Sequence, residues 1–149
     1  MKAIVYRVES VCVSTANRPV AETGQGYAVL LAVEPGDTPE KAACFAQTVA
    51  SIPAYQDRTG AMTKTVEFVR GEVTVIPSSQ PLLALGISRE HCEADVEAIN
   101  TCCQAFIQYF SVQRLRCICV KAGQPVSISL DMDGAVSYYL DSETMEAQV

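Results

Sequence analysis

An α+β fold is predicted: a strongly twisted or barrel-like sheet of antiparallel and mixed strands with two covering helices, in a single domain over residues 1–149. Three observations predict it. Period-two alternation marks both ends of the chain, one strand-length run near residue 30 is apolar on both faces, and two helix-length segments carry apolar residues at spacings of three and four. The order reads βββ-α-ββ-α-βββ.

Ile4, Tyr6 and Val8 alternate with Lys2 and Arg7, and Val11, Val13 and Thr15 repeat the pattern, so residues 2–8 and 11–15 read as two half-buried strands. After the turn-like Thr23-Gly-Gln-Gly26, the run Tyr27-Ala-Val-Leu-Leu-Ala-Val33 reads as a central strand covered on both faces. Glu34-Pro-Gly-Asp37 is turn chemistry. Thr38, Pro39 and Glu40 then supply a cap, a first-turn proline and an early carboxylate for a helix to about Ile52, stopped by Pro53. A short strand or bend over residues 54–57, a turn at Arg58-Thr-Gly60 and a strand over 71–76 follow.

Ser88 is a plausible cap for a second helix from about Arg89 to Phe110, with Val96, Ile99, Cys103, Phe106, Ile107 and Phe110 on one face. Residues 115–120, 126–130 and 136–140 read as the last strands, with Asp131-Met-Asp-Gly134 as the turn between the final two. No internal repeat, low-complexity tract or linker interrupts the pattern.

The composition is that of an ordinary globular domain, 49% apolar and 19% charged. A chain of 149 residues buries about 70% of its unfolded surface, enough for a core without disulfides or metal. No apolar run reaches the roughly 18 residues of a membrane span, and the start is too short an apolar stretch for a signal peptide. A cytoplasmic location with no membrane partner is therefore expected. The seven cysteines are odd in number and form no Cys-x-x-Cys pair, so they read as reduced thiols used as small core residues. A net charge of −6 argues against coating nucleic acid non-specifically, and no DNA partner is expected, although grip on one RNA end remains compatible. Arg114, Arg116 and Lys121 read as a solvated basic face.

Most catalytic constellations are absent from the sequence. The single histidine, His91, excludes a multi-histidine metal site, and it reads as a solvated helix-start residue beside Cys92. No phosphate-cradling glycine loop occurs. Asp131 and Asp133 read as turn residues rather than as a cation site, so no metal and no cofactor are expected. The remaining candidates are two polar segments that close strands, Ser78-Ser79-Gln80-Pro81 and Met132-Asp133-Gly134-Ala135.

Taken together these segments resemble the D-aminoacyl-tRNA deacylase family over nearly the whole chain. Met1-Lys-Ala-Ile-Val-Tyr-Arg-Val8 is similar to the family's Met-Lys-Ala-Val-Val-Gln-Arg-Val, and Gly26-Tyr-Ala-Val-Leu-Leu-Ala-Val33 to its Gly-Leu-Leu-Val-Leu-Leu-Gly-Val. Gly36-Asp37-Thr38 stands at the family's Gly-Asp-Thr, and Met62 at the methionine of its Gly-Lys-Met. Val75-Ile-Pro-Ser-Ser79-Gln80-Pro81-Leu82-Leu83 is similar to Val-Val-Ser-Gln-Phe-Thr-Leu, and residues 126–142 to a closing stretch built around Asn-Asp-Gly-Pro-Val-Thr.

The resemblance implies a homodimer in which each subunit lends a Gly-Pro loop to its partner's pocket, where the aminoacyl 3′ end of a tRNA is hydrolysed without a cofactor. The catalytic positions it implies are Ser79, Gln80 and Leu82 together with Gly134 and Ala135. Arg7, Met62 and Pro81 are implied as binding or support. Attack by water is assisted in such a site by the RNA's own ribose hydroxyl, and backbone amides face the ester.

Three departures from the family pattern stand out. Leu82 replaces a threonine, which removes a hydroxyl but keeps the amide. Ala135 replaces the proline, and a cis bond before a non-proline residue costs about 2.5–4 kcal/mol against about 0.5–1 before proline, so a trans Gly134–Ala135 bond is expected. Ala84-Leu-Gly-Ile-Ser88 stands where the family has a basic stretch, which lowers the expected grip on phosphates. Two functions follow: hydrolysis of mischarged D-aminoacyl-tRNA or glycyl-tRNA, or a catalytically impaired paralogue that keeps the dimer scaffold as an interaction module. Altered chirality or a free D-amino-acid ester substrate is a third.

Overall fold

The computed structural model describes residues 1–78 and 95–146. Its elements are β1 (Lys2–Thr15), β2 (Arg18–Thr23), β3 (Gly26–Ala32), α1 (Pro39–Ala50), β4 (Tyr55–Gln56), β5 (Met62–Lys64), β6 (Glu72–Ser78), α2 (Val96–Val112), β7 (Cys117–Cys119), β8 (Ser127–Asp141) and α3 (Ser142–Glu146). The main sheet runs β2-β1-β3-β6-β7, with β8 added to β1, and curls into a nearly closed, barrel-like shape. Strand β1 is antiparallel to β2, β3 and β8, whereas β3–β6 and β6–β7 are parallel. The sheet is thus mixed, as expected, and α1 and α2 cover it.

Strand β1 is the organising element. The two strands expected over residues 2–8 and 11–15 are one continuous strand, because β8 pairs with it from Lys2 to Ser14. The gap between them is a bulge at Glu9: the register moves from Val8↔Met132 to Ser10↔Asp131. One extra residue reverses which face each later side chain meets. Ala3 and Val5 pack towards the helices, while Val8, Val11 and Val13 pack into a second cluster with Ala28, Ile76 and Val120.

The hairpin to β2 turns on Ala16 and Asn17, both with positive φ (47° and 62°), the pairing a two-residue type I′ loop requires. On β3, Tyr27, Val29 and Leu31 face the helices and Ala28 and Leu30 the other side, so both faces are covered as predicted. Gly26 opens β3 against Glu72, and a Cβ there would collide with the Glu72 carbonyl.

Helix α1 starts as read: Thr38 Oγ1 accepts the Lys41 N–H at 3.2 Å and Pro39 lies in the first turn. Asp37, just before the cap, is gathered into an ionic cluster. The Met1 amine lies 2.8 Å from Glu34 and 3.0 Å from Asp37, Lys2 pairs with Glu34 at 2.7 Å, and Lys41 with Asp37 at 3.1 Å. Burial pushes the Asp37 carboxyl up, but the Glu34 amide, the amine and Lys41 outweigh it and hold it below the usual carboxylate range.

Helix α2 begins at Val96 rather than near Arg89, since Asp95 is extended (φ −61°, ψ 139°) and serves as its cap position. The expected cap Ser88 and residues 89–94 lie outside the described residues. Ile99, Cys103, Phe106 and Phe110 are buried as read, but Val96, the first residue of the helix, is 41% exposed.

The expected turn over residues 131–134 is not a reversal. The chain continues in one direction through β8, and the local turn chemistry of Asp-Gly is absorbed as a bulge by pairing with β1 on either side. Strands β2 and β5 and helix α3 were not anticipated.

Candidate functional site

The bulge in β8 forms opposite Arg7. Tyr6 pairs with Ser137 and Val8 with Met132, so residues 133–136 stand against Arg7 alone. The guanidinium bonds the Asp133 carbonyl, where this bulge begins. Arg7 donates from Nε and Nη2 to the Asp133 carbonyl at 3.0 and 2.8 Å, and Nε also lies 3.1 Å from the Asp133 carboxylate. Its remaining arm, Nη1, donates to the Ala54 carbonyl at 2.7 Å. The planar fork thus ties the bulge to the segment between α1 and β4.

The next residue is held by conformation. Gly134 has φ +69°, and a Cβ there would meet Arg7 Nη2 at 3.3 Å. Glycine is required both for the left-handed backbone and for the room. The bond that follows is trans, since no cis peptide occurs among the described residues. Gly134 and Ala135 are both exposed, so the crest of the bulge is presented to the surface.

Two tyrosines brace Arg7 from behind. Tyr55 lies under the guanidinium at 5.9 Å and stacks on Tyr27 with centroids 5.9 Å apart and planes 15° apart. Tyr27 donates its hydroxyl to the Ile52 carbonyl at 3.0 Å, and Tyr55 to the Gly26 carbonyl at 3.1 Å. Burial pushes the Tyr55 phenol up to about 12, so both rings serve as neutral donors. Pro53 separates the two carbonyls of Ile52 and Ala54 that receive Tyr27 and Arg7. Neither tyrosine was singled out by sequence reasoning as part of the site. The available signal was their place, Tyr27 opposite Arg7 in the central strand and Tyr55 just after the helix-stopping proline.

Met62 is placed on the β4–β5 hairpin, where it pairs with Gln56, the neighbour of Tyr55, and it is 37% exposed. The hairpin turn is organised by Asp57. Its Oδ1 accepts the Thr59 N–H at 2.7 Å, the Thr59 hydroxyl at 2.6 Å and the Ala61 N–H at 3.2 Å, and its Oδ2 accepts the Thr63 hydroxyl at 2.9 Å. These bonds, the Thr59 hydroxyl first among them, hold the carboxyl down at about 2.

The structure thus brings Arg7 and Gly134 into contact and sets Met62 on a neighbouring hairpin. Ser79, Gln80, Pro81 and Leu82 lie outside the described residues, as do His91 and Cys92. Their point of departure is defined, because Ser78 ends β6 beside Ala32, which pairs with Lys2. Arg7 pairs with Tyr27 near the start of β3 and midway along β1. From Lys2 to Arg7 is five residues, about 17 Å at ~3.3 Å per residue. Among the described residues no cluster of three or more metal-ligating side chains occurs.

A curled mixed sheet, two covering helices and an arginine-held bulge define the class of α+β protein to which the chain conforms. The solved structure of a "c-Myc DNA Unwinding Element Binding Protein" matches with a TM-score of 0.82 at 21% identity, covering 95% of this chain and 98% of that one. A probable eukaryotic D-amino acid tRNA deacylase matches at 0.73 and 10% identity, over 94% and 98% of the two chains. At such identities the likeness shows the fold.

Sequence comparison gives the family. The family model for D-Tyr-tRNA(Tyr) deacylase matches residues 4–141. D-aminoacyl-tRNA deacylases of Syntrophotalea carbinolica and of Geobacter sp. strain M21 are each 32% identical over 147 residues, covering 95% of this chain and 97% of theirs. The chain belongs to the D-Tyr-tRNA(Tyr) deacylase family.

Proposed function

We propose that the protein hydrolyses the ester bond of D-aminoacyl-tRNA or glycyl-tRNA, releasing free tRNA and amino acid, as a step of translation quality control in the cytoplasm. The observation that carries this reading is the near-full-length match to curated deacylases at 32% identity. The Arg7-held bulge supports it at the level of the site, because the resemblance assigns those positions to substrate selection. An impaired paralogue acting as an interaction module gains nothing from these relatives, all of which carry the deacylase name.

In the proposed reaction the aminoacyl 3′ end enters a pocket formed by the segment after Ser78. Water attacks the ester carbonyl, assisted by the adjacent ribose hydroxyl. The developing oxyanion is met by backbone amides of Gln80 and Leu82, which the loss of a threonine hydroxyl leaves in place. The leaving group is the terminal ribose oxygen. Arg7 positions Asp133 and Gly134, and Met62 shapes the adenosine contact.

The protein works in this reading as a homodimer. Within one subunit Ser78, which leads into residues 79–82, lies beside Ala32 at the end of β3, whereas the Gly134 bulge rises midway along β8, and a partner's bulge reaching across joins the two without refolding either. Hydrolysis assays with D-aminoacyl-, L-aminoacyl- and glycyl-tRNA test the function. Release well above background for the D and glycyl substrates is expected. No release from any of them at high enzyme concentration overturns it.

A further inference from the structure

We propose that Phe68 and Lys64 form a stacking platform for the unpaired nucleotides that lead to the 3′ adenosine of the tRNA, so that the RNA strand leaves the site over the turn after β5. The proposal deepens the deacylase reading and rests on it, since the nucleotides concerned adjoin the adenosine assigned to Met62.

The platform is an exposed ring on a fixed mount. Phe68 is 65% exposed and lies in the turn between β5 and β6. Backbone bonds set that turn. The Thr65 carbonyl accepts the Val69 N–H at 3.2 Å, the Val66 carbonyl accepts the Gly71 N–H at 3.0 Å, and Thr65 Oγ1 accepts the Phe68 N–H at 3.3 Å. Val66, fully buried, anchors the turn in the core.

An exposed ring alone is ordinary protein surface. Three neighbouring features give this one a direction. First, Lys64 Nζ lies 4.5 Å over the ring centroid, a cation–π contact that sets an ammonium group where the phosphate between stacked bases would lie. Second, the segment is locally basic in a chain of net charge −6. Residues 57–70 hold Arg58, Lys64 and Arg70 against Asp57 and Glu67, and both carboxylates are engaged. Asp57 organises the hairpin turn, and Glu67 accepts the Tyr109 hydroxyl at 3.3 Å. None of the three cations is in an ion pair among the described residues. Third, the platform is continuous with the site. Lys64 pairs with Tyr55, the ring under Arg7, and Met62 pairs with Gln56 in the same hairpin.

A single RNA strand needs a ring face for each stacked base and cations along its backbone, and this segment offers both. A protein partner would need a wider apolar patch than Phe68 and Met62, the exposed large apolar residues of the segment. The phosphate grip that Ala84-Leu-Gly-Ile-Ser88 lacks is here supplied from another part of the chain.

The test compares two substrates with the same ester, a D-aminoacyl-tRNA and a D-aminoacyl-adenosine that has no preceding nucleotides. In Phe68→Ala the KM for the tRNA ester is expected to rise about tenfold, as for the loss of one base stack, with kcat unchanged. Hydrolysis of the nucleoside ester should match the wild type, and Phe68→Tyr should keep the wild-type KM. In Lys64→Gln the KM for the tRNA should depend less steeply on salt. An unchanged KM for the tRNA in Phe68→Ala overturns the proposal, and so does an equal loss on both substrates. A patch that serves a second copy of the chain would shift the dimer equilibrium of Phe68→Ala and leave KM alone, which also overturns it. If the wild type hydrolyses neither ester, the deacylase reading falls, and titration with the trinucleotide CpCpA decides the platform. Movement of the Phe68 ring proton signals, identified by their loss in Phe68→Ala, then supports it, and signals that stay in place overturn it.

Discussion

Arg7 holds the bulge through one side chain that makes three bonds to two backbone carbonyls, so its shape matters as much as its charge. Lysine offers a single ammonium and cannot reach the Asp133 and Ala54 carbonyls together. Arg7→Lys is therefore expected to lower stability by about 1–3 kcal/mol, as for lost bonds to a charged donor, and to lower kcat/KM on D-aminoacyl-tRNA more than tyrosine-ring changes do. Denaturant midpoints and deacylation kinetics check it; unchanged kinetics in a folded Arg7→Lys protein would remove Arg7 from the site. Gly134→Ala places a methyl group 3.3 Å from Arg7 Nη2 on a left-handed backbone, which costs about 1–2 kcal/mol for an L-residue. At Ala135 the effect is on selection. The Gly134–Ala135 bond is trans, whereas the resemblance associates rejection of L-side chains with a cis bond at this place. Ala135→Pro brings the cis form within about 0.5–1 kcal/mol. The ratio of D to L hydrolysis is expected to rise in that variant, and an equal or lower ratio would show that the bond does not govern chirality.

At the scale of elements, the β4–β5 hairpin is fastened by one carboxylate. Asp57 has its folded value depressed from 3.8 to about 2 by the bonds of Thr59, Thr63 and Ala61. Its contribution is therefore complete above the unfolded value and is lost as pH falls through the folded one. Protection of the Thr59 and Ala61 amides, taken relative to intrinsic exchange at the same pH, should hold down to about pH 4 and fall as pH approaches 2, and in Asp57→Ala it should be low throughout; protection unchanged by pH in the native protein would contradict the assignment. The elements also show what could be read in advance. The cap at Thr38, the stop at Pro53 and the two-faced strand at Tyr27 were legible because each rests on neighbouring residues. The continuity of β1 was not, because a bulge at Glu9 mimics the end of a strand and only the partner β8 reveals that pairing goes on. Asp133-Gly134 misled in the same way: its turn chemistry is real, but Arg7, distant in sequence, converts the turn into a bulge. Arg7, Gly134 and Ala135 were reached through resemblance. The tyrosines behind them went unmarked because buried phenols are also ordinary core residues.

For the whole molecule, the question is which surfaces meet. Among the described residues strand β8 pairs on one edge, with β1, and its outward side chains include Tyr139 at 58% exposure and Ile128 at 38%. The Gly134 crest rises from that strand, about 17 Å along the sheet from where Ser78 leads into the candidate ester-binding segment. If each site joins one subunit's 79–82 segment to its partner's bulge, a lesion in each part should complement when the two inactive proteins exchange subunits. Arg7→Ala damages the bulge, and Leu82→Pro removes an amide donor from the other half. In the mixed dimer one site collects both lesions and the other has none. Random pairing makes half of the dimers mixed, each with one intact site, so about a quarter of the wild-type activity should return. Restoration after co-refolding, measured against each inactive parent, supports a shared site. A mixture as inactive as its parents, with dimers present by light scattering, would place the whole site within a single subunit.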